Sequence, residues 1–297
     1  MSHRRAVDPM FDHVEAFHRP RSIPEAVRLL RLKGRGARVV AGGTDVIVQA
    51  DREIRALVDI TGLGLDYIRK NGDGWAIGAT ATMSSVANSA AMRAFAAGII
   101  AAAAATCGSV QLRNMATVGG NLANASPAAD LAIPLLALDA TAVAAGERGR
   151  RGMPLADFFT GPGKTSLDGR LLVEVLIPLP PRGRTGWSFQ KLGRTEVDIS
   201  LVSLAAGLQL DAKGRVKFAR IAMGAVGPMP LRARAAEQTL AGHALDENLI
   251  GAAAAAAARE AQPISDLRAS AEYRRDMCGA LTARALRECA RQAGCSL

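Results

Sequence analysis

Two glycine pairs constrain this chain more than anything else in it. The first lies in Val39-Val-Ala-Gly-Gly-Thr-Asp-Val46, the second in Thr117-Val-Gly-Gly-Asn-Leu-Ala-Asn-Ala-Ser-Pro-Ala-Ala-Asp130. Each sets two glycines beside a hydroxyl residue and an acid or amide. Glycine lacks a Cβ and tolerates unusual dihedrals, so successive amide N–H groups can converge on one anionic oxygen. Thr44 and Thr117 can add hydroxyl donors. The first loop follows a short apolar run and opens the next element, which adds the positive end of a helix dipole. One Gly-Gly pair reads most simply as a tight turn. Two pairs with matching neighbours point to an anion site. Neither pair is followed by Gly-Lys-Ser/Thr, so this is no mononucleotide P-loop. Neither fits G-x-G-x-x-G, which argues against a Rossmann fold.

The length of 297 residues allows two domains with proper cores, and 49% hydrophobic with 22% charged residues is an ordinary globular balance. The net charge is 37 basic minus 27 acidic, or +10. Such a balance can signal nucleic acid or an anionic membrane. Here the basic residues (Arg28, Arg31, Lys33, Arg148, Arg182, Arg232 and Arg287 among them) are scattered, and aromatics reach only 4%. A solvated surface or an interface with acidic partner subunits is expected, with no nucleic acid. Cys107, Cys278, Cys289 and Cys295 form no C-x-x-C pair, and His3, His13, His18 and His243 have no ligand spacing. No metal or iron–sulfur site is expected in this chain, and a reducing compartment is. His3, His13 and His18 are expected in solvent. Arg4-Arg5 has no hydrophobic region behind it, and Ala94 to Ala105 is too short to span a bilayer. A soluble, cytoplasmic protein without membrane insertion follows.

Residues 1–21 read as a leader that packs or extends along the surface. Ser22-Ile-Pro-Glu25 reads as a capping box for a helix with Val27, Leu29, Leu30 and Leu32 on its apolar face, stopped by Gly34. Short strands are predicted at Ala37–Ala41 and Ala56–Ile60. Tyr67–Arg69 and Trp75–Ile77 flank the hairpin turn Asn71-Gly-Asp-Gly74. Thr82 caps a helix from Met83. A second helix is predicted from Ala94 to about Thr106, followed by a polar loop from Ser109 to Asn114. Ser126-Pro127 is read as a helix start, with Pro134 in the first turns or at a kink. Strands follow at Ala140–Ala145 and Leu171–Ile177 around a loop, Phe158 to Lys164. Pro178, Pro180, Pro181 and Arg182-Gly-Arg-Thr-Gly186 form the clearest break, so the domains are expected at 1–181 and 182–297. Beyond it, Trp187–Leu192, Ser200–Leu210 and Val216–Ala225 read as a three-stranded sheet, with a hairpin turn at Asp211-Ala-Lys-Gly214. Helices then run to the end, including a polyalanine helix at Ala252–Ala258. This makes the second half an α+β domain.

The two glycine stretches, together with Phe189-Gln-Lys-Leu-Gly-Arg-Thr-Glu-Val-Asp-Ile-Ser-Leu-Val202, resemble the FAD-binding (medium) subunit of the molybdenum hydroxylases. That family includes xanthine dehydrogenase and aerobic carbon monoxide dehydrogenase, and the resemblance covers nearly the whole chain. It implies an α+β chain: a two-lobed FAD-binding domain of the vanillyl-alcohol oxidase type, then a smaller C-terminal domain of the CO dehydrogenase flavoprotein type. It implies that Val39, Val40, Ala41, Gly42, Gly43, Thr44, Asp45 and Val46 wrap the FAD pyrophosphate from one side. Thr117, Val118, Gly119, Gly120 and Asn121 would do so from the other. Asp130 would hydrogen-bond a hydroxyl or ring group of the cofactor, Leu172 would pack near flavin or adenine, and Lys191 would approach the flavin pyrimidine edge. Cys107 falls at a further contact position. By residue type alone, Asp130 is a helix-start acid, Leu172 core and Lys191 a snorkelling side chain.

The resemblance further implies that no side chain here is catalytic. Iron–sulfur clusters and molybdopterin would sit on a small and a large partner subunit, as a dimer of heterotrimers. Electrons would pass through FAD to NAD⁺ or another acceptor. Two other readings remain: a self-contained FAD-dependent oxidoreductase of the same cofactor fold, and a flavin-free scaffold subunit.

Overall fold

The computed structural model describes residues 13–33 and 36–297; His3, the Arg4-Arg5 pair and Gly34 lie outside them. The chain opens with β1 (Ala16–His18), α1 (Ile23–Lys33), β2 (Ala37–Val40), α2 (Thr44–Gln49) and β3 (Ala56–Asp59). The three strands form one parallel sheet in the order β1-β3-β2. The expected leader is therefore in part a strand. Nor are His13 and His18 simply solvated: His13 Nε2 donates to the Asp51 carbonyl at 3.1 Å, and His18 Nε2 is buried without a partner. The capping box forms at α1. Glu25 N–H donates to Ser22 Oγ at 3.3 Å, and the Glu25 carboxylate accepts from Arg21 N–H, one residue earlier than the pattern requires. Ala26, Val27 and Leu30 are buried, whereas Leu32 is 69% exposed. At 100° per residue Leu32 lies on the opposite side of the helix from that stripe.

A second layer follows: the hairpin β4 (Ile68–Asn71) and β5 (Gly74–Gly78), then six short helices. These are α3 (Met83–Asn88), α4 (Ala90–Ala94), α5 (Ile99–Ala105), α6 (Val110–Met115), α7 (Val118–Ala123) and α8 (Ala132–Ala137). Strands β6 (Thr141–Gly146) and β7 (Gly149–Pro154), the small hairpin β8 (Phe159–Gly161) and β9 (Lys164–Thr165), and β10 (Leu171–Ile177) complete it. The main sheet is antiparallel in the order β4-β5-β10-β6-β7.

Local structure departs from the sequence pattern at several points. The alanine-rich helix does not run through from Ala94. Ala96 and Ala97 take φ of 47° and 52°, and α5 starts only at Ile99. Burial of Phe95 and Ala96 in the core outweighs alanine's helix propensity. The polar stretch after Gly108 is helical, because Ser109 Oγ accepts from Leu112 N–H at 3.2 Å and caps α6. Ser126-Pro127 begins a turn, with Ser126 Oγ accepting from Ala128 N–H, and α8 begins at Ala132. Pro134 is its third residue, where no helical N–H is required.

The remaining strands are β11 (Arg184–Leu192), β12 (Val202–Leu210), β13 (Val216–Gly224) and β14 (Leu231–Arg232). Three long strands stand where the sequence placed them, and a two-residue fourth lies at the edge. Helices α9 (Arg234–Leu240), α10 (Glu247–Glu260) and α11 (Ala271–Gln292) follow. β12 is buried along almost its whole length because both faces are covered. Val202, Leu204, Ala206 and Leu208 share a core with α9–α11, while Ala205 joins the core of α3–α8. A third core ties α1 and β3 to Val143, Ala145, Leu171 and Val173 of the antiparallel sheet. Arg232, expected in solvent, is instead 8% exposed and paired with Glu237 and Asp139.

Candidate cofactor site

Where the parallel sheet meets the helical layer, a cleft of about 990 Å³ opens. That is at the upper end for ligand sites, about 300–1,000 Å³. Its walls include Val39, Ala41, Gly42, Gly43, Thr44, Asp45 and Val46 from the first loop, and Thr117, Gly119, Gly120 and Asn121 from the second. Cys107, Asp130 and Leu172 line it too. Val40, Val118 and Lys191 do not; Val118 is fully buried behind the wall.

The two loops differ in what they offer. β2 delivers the first. Gly43 takes φ 70° as it turns into α2, and no side chain caps that helix. Among the described residues, the N–H groups of Gly42, Gly43, Thr44, Asp45 and Val46 meet no protein acceptor. These residues are half-buried or, at Asp45, exposed, so the amides stand open to the cleft and are free to take an anionic ligand. The second loop is the first turn of α7, and its amides are already used. Val118 N–H donates to Ala81 O and Gly119 N–H to Ala79 O at 2.8 Å. Gly120 N–H donates to Thr117 Oγ1, and Asn121 N–H to Thr117 O. What this side presents is side-chain chemistry. Asn121 Oδ1 is buried with no partner. The Thr117 hydroxyl, which accepts from Gly120, keeps its own proton to donate. A converging pair of amide nests, as the sequence suggested, is thus formed on one side only.

Asp130 sits two residues ahead of α8 and is 6% exposed. Its Oδ2 accepts from Lys191 Nζ at 2.7 Å, and its Oδ1 accepts from Ser200 Oγ. Lys191 Nζ also donates to the Thr106 carbonyl at 2.7 Å. Burial pushes the Asp130 carboxyl above its ordinary range, against the pull of Lys191 and Ser200. The Cys107 thiol is pushed up to about 11, by burial and then by the charge of Asp130. It is held as a thiol and is no nucleophile at neutral pH. Asp45 is raised by burial as well.

Sequence reasoning missed part of the wall. Gln49 Nε2 donates to Asn124 Oδ1 at 2.7 Å and bridges the two lobes beside the cleft. Asn124 was within reach, since it lies inside the second glycine stretch. Lys164 and Arg170 arrive from the β8–β9 hairpin region, and Asp198 and Ile199 from the segment after β11. No local pattern marks Lys164 or Arg170, whereas Asp198 and Ile199 lie inside the Phe189–Val202 stretch that carries the resemblance.

Residues 10–180 match a family model described as the FAD binding domain in molybdopterin dehydrogenase, and residues 187–289 match the CO dehydrogenase flavoprotein C-terminal domain. The xanthine dehydrogenase FAD-binding subunit of Escherichia coli is 34% identical over 292 residues, spanning 96% of this chain and 99% of that one. The carbon monoxide dehydrogenase medium chain of Afipia carboxidovorans is 34% identical over 275 residues, spanning 91% and 94%. Among solved structures, the carbon monoxide dehydrogenase of Hydrogenophaga pseudoflava, in a form lacking the Mo-pyranopterin moiety, superposes with a TM-score of 0.89 at 33% identity over 95% of this chain and 99% of that one. Quinoline 2-oxidoreductase from Pseudomonas putida gives 0.85 at 30% identity, over 94% and 98%.

Proposed function

This chain belongs to the FAD-binding subunits of the molybdenum hydroxylases, and we propose that it takes electrons from an iron–sulfur small subunit and hands them to NAD⁺ or another acceptor. Its partners in this reading are that small subunit and a molybdopterin large subunit, assembled as a dimer of heterotrimers in the cytoplasm. Among the described residues, no helix is long and apolar enough to cross a membrane. The division of labour falls at 181/182, with the FAD-binding domain before it and the C-terminal domain after it.

One observation carries the reading: the uncapped amides of Gly42–Val46 face a cleft whose other wall holds the unpaired Asn121 Oδ1. Anionic oxygens of a pyrophosphate satisfy the amides. A hydroxyl or ring N–H beside them satisfies the amide oxygen. The residues present therefore fit FAD. Once bound, FAD supplies the redox chemistry that side chains lack.

The chain's own task is to bind and orient. Gly42–Val46 grip the diphosphate from one side. Thr117 donates its hydroxyl to it from the other, and Asn121 Oδ1 accepts from a cofactor hydroxyl or ring N–H beside it. Leu172 gives apolar contact. Asp130 accepts from a cofactor hydroxyl or ring group at the deep wall, held in place by Lys191, so that Lys191 acts through Asp130. No residue is assigned a proton transfer.

The test is direct. The chain, purified with FAD supplied, should retain about one FAD per protomer, and should co-purify with an iron–sulfur and a molybdopterin subunit when all three are expressed. A colourless protein after reconstitution would sink the flavin assignment. Flavin-loaded protein that never associates with such partners would sink the assembly.

A further inference from the structure

We infer that Ser200 is a positioning residue of the cofactor cleft: it fixes the free face of the Asp130 carboxylate, so that the C-terminal half of the chain helps to set how tightly FAD is held. The inference rests on the flavin reading above and deepens it.

The geometry is specific. Asp130 belongs to the half of the chain that carries both glycine loops, and it lines the cleft. Both of its oxygens are anchored from the other half. Lys191 on β11 takes Oδ2, and Ser200, just before β12, takes Oδ1. Ser200 is 1% exposed. Its hydroxyl could accept from any nearby donor, yet it donates to a carboxylate. The three residues before it, Val197, Asp198 and Ile199, form part of the cleft wall themselves. One short segment thus builds wall and anchor together.

A hydroxyl that donates to a carboxylate stabilises its charged form. Burial works against that form at Asp130. Removing the hydroxyl leaves Lys191 alone to keep the group ionised and frees Oδ1 to swing. The carboxyl then takes up a proton more readily and stops accepting from a cofactor hydroxyl or ring N–H. The Cys107 thiol, which feels the Asp130 charge, also feels Asp45 and, on α6, Arg113, and Asp198 lies on the same cleft wall. With the thiol raised to about 11, Cys107 does not change charge in the range tested.

The experiment is FAD binding by the full chain, measured by quenching of flavin fluorescence between pH 5.5 and 8.5, for the native protein and Ser200→Ala. The expected result is roughly tenfold weaker binding at pH 6, the size of one lost hydrogen bond to a charged group, with a clearly smaller loss at pH 8. Ser200→Cys, nearly the same size with a much weaker donor, should follow the alanine variant and replaces it if that variant loses its melting transition. A Ser200→Ala curve superimposable on the native one, or a loss equal at every pH, overturns the role of Ser200 while leaving the flavin reading intact. Native protein that binds no FAD at any pH overturns the flavin reading itself.

Discussion

Gly42 and Met115 meet through their backbones: a Cβ on Gly42 would stand 1.9 Å from the Met115 carbonyl oxygen. Gly42 is not among the glycines with positive φ. Its requirement is therefore close approach, not an unusual dihedral. It presses the first loop against the end of α6, and so sets the width of the cleft where the two lobes touch.

Gly42→Ala should therefore separate the lobes. The clash is with backbone, which cannot turn aside as a side chain can. Overpacking of this kind costs about 1–3 kcal/mol, and at ~2–4 °C per kcal/mol the melting temperature should fall by several degrees. FAD retention should fall with it, because the amides of Gly42–Val46 move relative to Asn121. Thermal melting alongside the flavin-to-protein absorbance ratio tests this. A variant with native melting and native flavin content would refute the contact as drawn.

The second pair separates packing from binding within two adjacent residues. A Cβ at Gly119 would lie 2.8 Å from both the carbonyl oxygen and the Cβ of Ala79, inside the fold. One at Gly120 would meet only Thr117 Oγ1, at 3.0 Å, on an exposed position of α7. Gly119→Ala should lower the melting temperature. Gly120→Ala should not, because alanine gains about 0.8–1 kcal/mol of helix propensity, yet its methyl narrows the cleft and should weaken FAD by tenfold or more. Equal FAD affinity in Gly120→Ala and native protein would remove residue 120 from the cofactor's surroundings.

That contrast shows what the sequence could and could not convey. The glycine pairs mark a close approach, and Val39–Val46 and Thr117–Asp130 do face one another across a cleft. The strands of the C-terminal sheet were legible because apolar runs with a turn at Asp211–Gly214 have few other solutions. Which glycine serves packing and which serves the cleft was not legible, because that depends on Met115 and Ala79, far away in the chain or on another element. Nor was Lys191. Residue type alone made it a snorkelling side chain, and the resemblance alone aimed its ammonium at the flavin; tertiary packing sets it against Asp130 and the Thr106 carbonyl. The short helices α6 and α7 were read as loops because their polar and glycine-rich composition hides caps, Ser109 and Thr117, that declare themselves only through their hydrogen bonds.

Cys107 gives a prediction of its own. It is the one cysteine on the cleft wall, and its thiol is raised to about 11. Burial and the Asp130 charge both disfavour the thiolate, which is the reactive form. FAD should therefore be released intact on acid precipitation, leaving a colourless pellet. Cys107→Ser should retain FAD normally. Flavin that stays with the denatured chain would show a covalent bond and overturn this.

Lys191→Met should destabilise the protein in a pH-dependent way. Lys191 and Asp130 are 8% and 7% exposed at the side chain, and breaking such a buried pair costs about 3–5 kcal/mol. The sign with pH follows from Asp130. Its folded carboxyl is already raised by burial, with Lys191 drawing it back down. Without the ammonium it rises further. A raised carboxyl contributes stability below its unfolded pKa and loses that contribution as pH climbs through the folded one. The variant can shed the unpaired charge by protonation in acid but not at neutral pH. Its melting deficit relative to the native protein should therefore be larger at pH 8 than at pH 5. A deficit that stays constant, or widens on acidification, would mean that Asp130 is not the group left uncompensated, and the anchoring of the cleft wall through Lys191 would have to be abandoned.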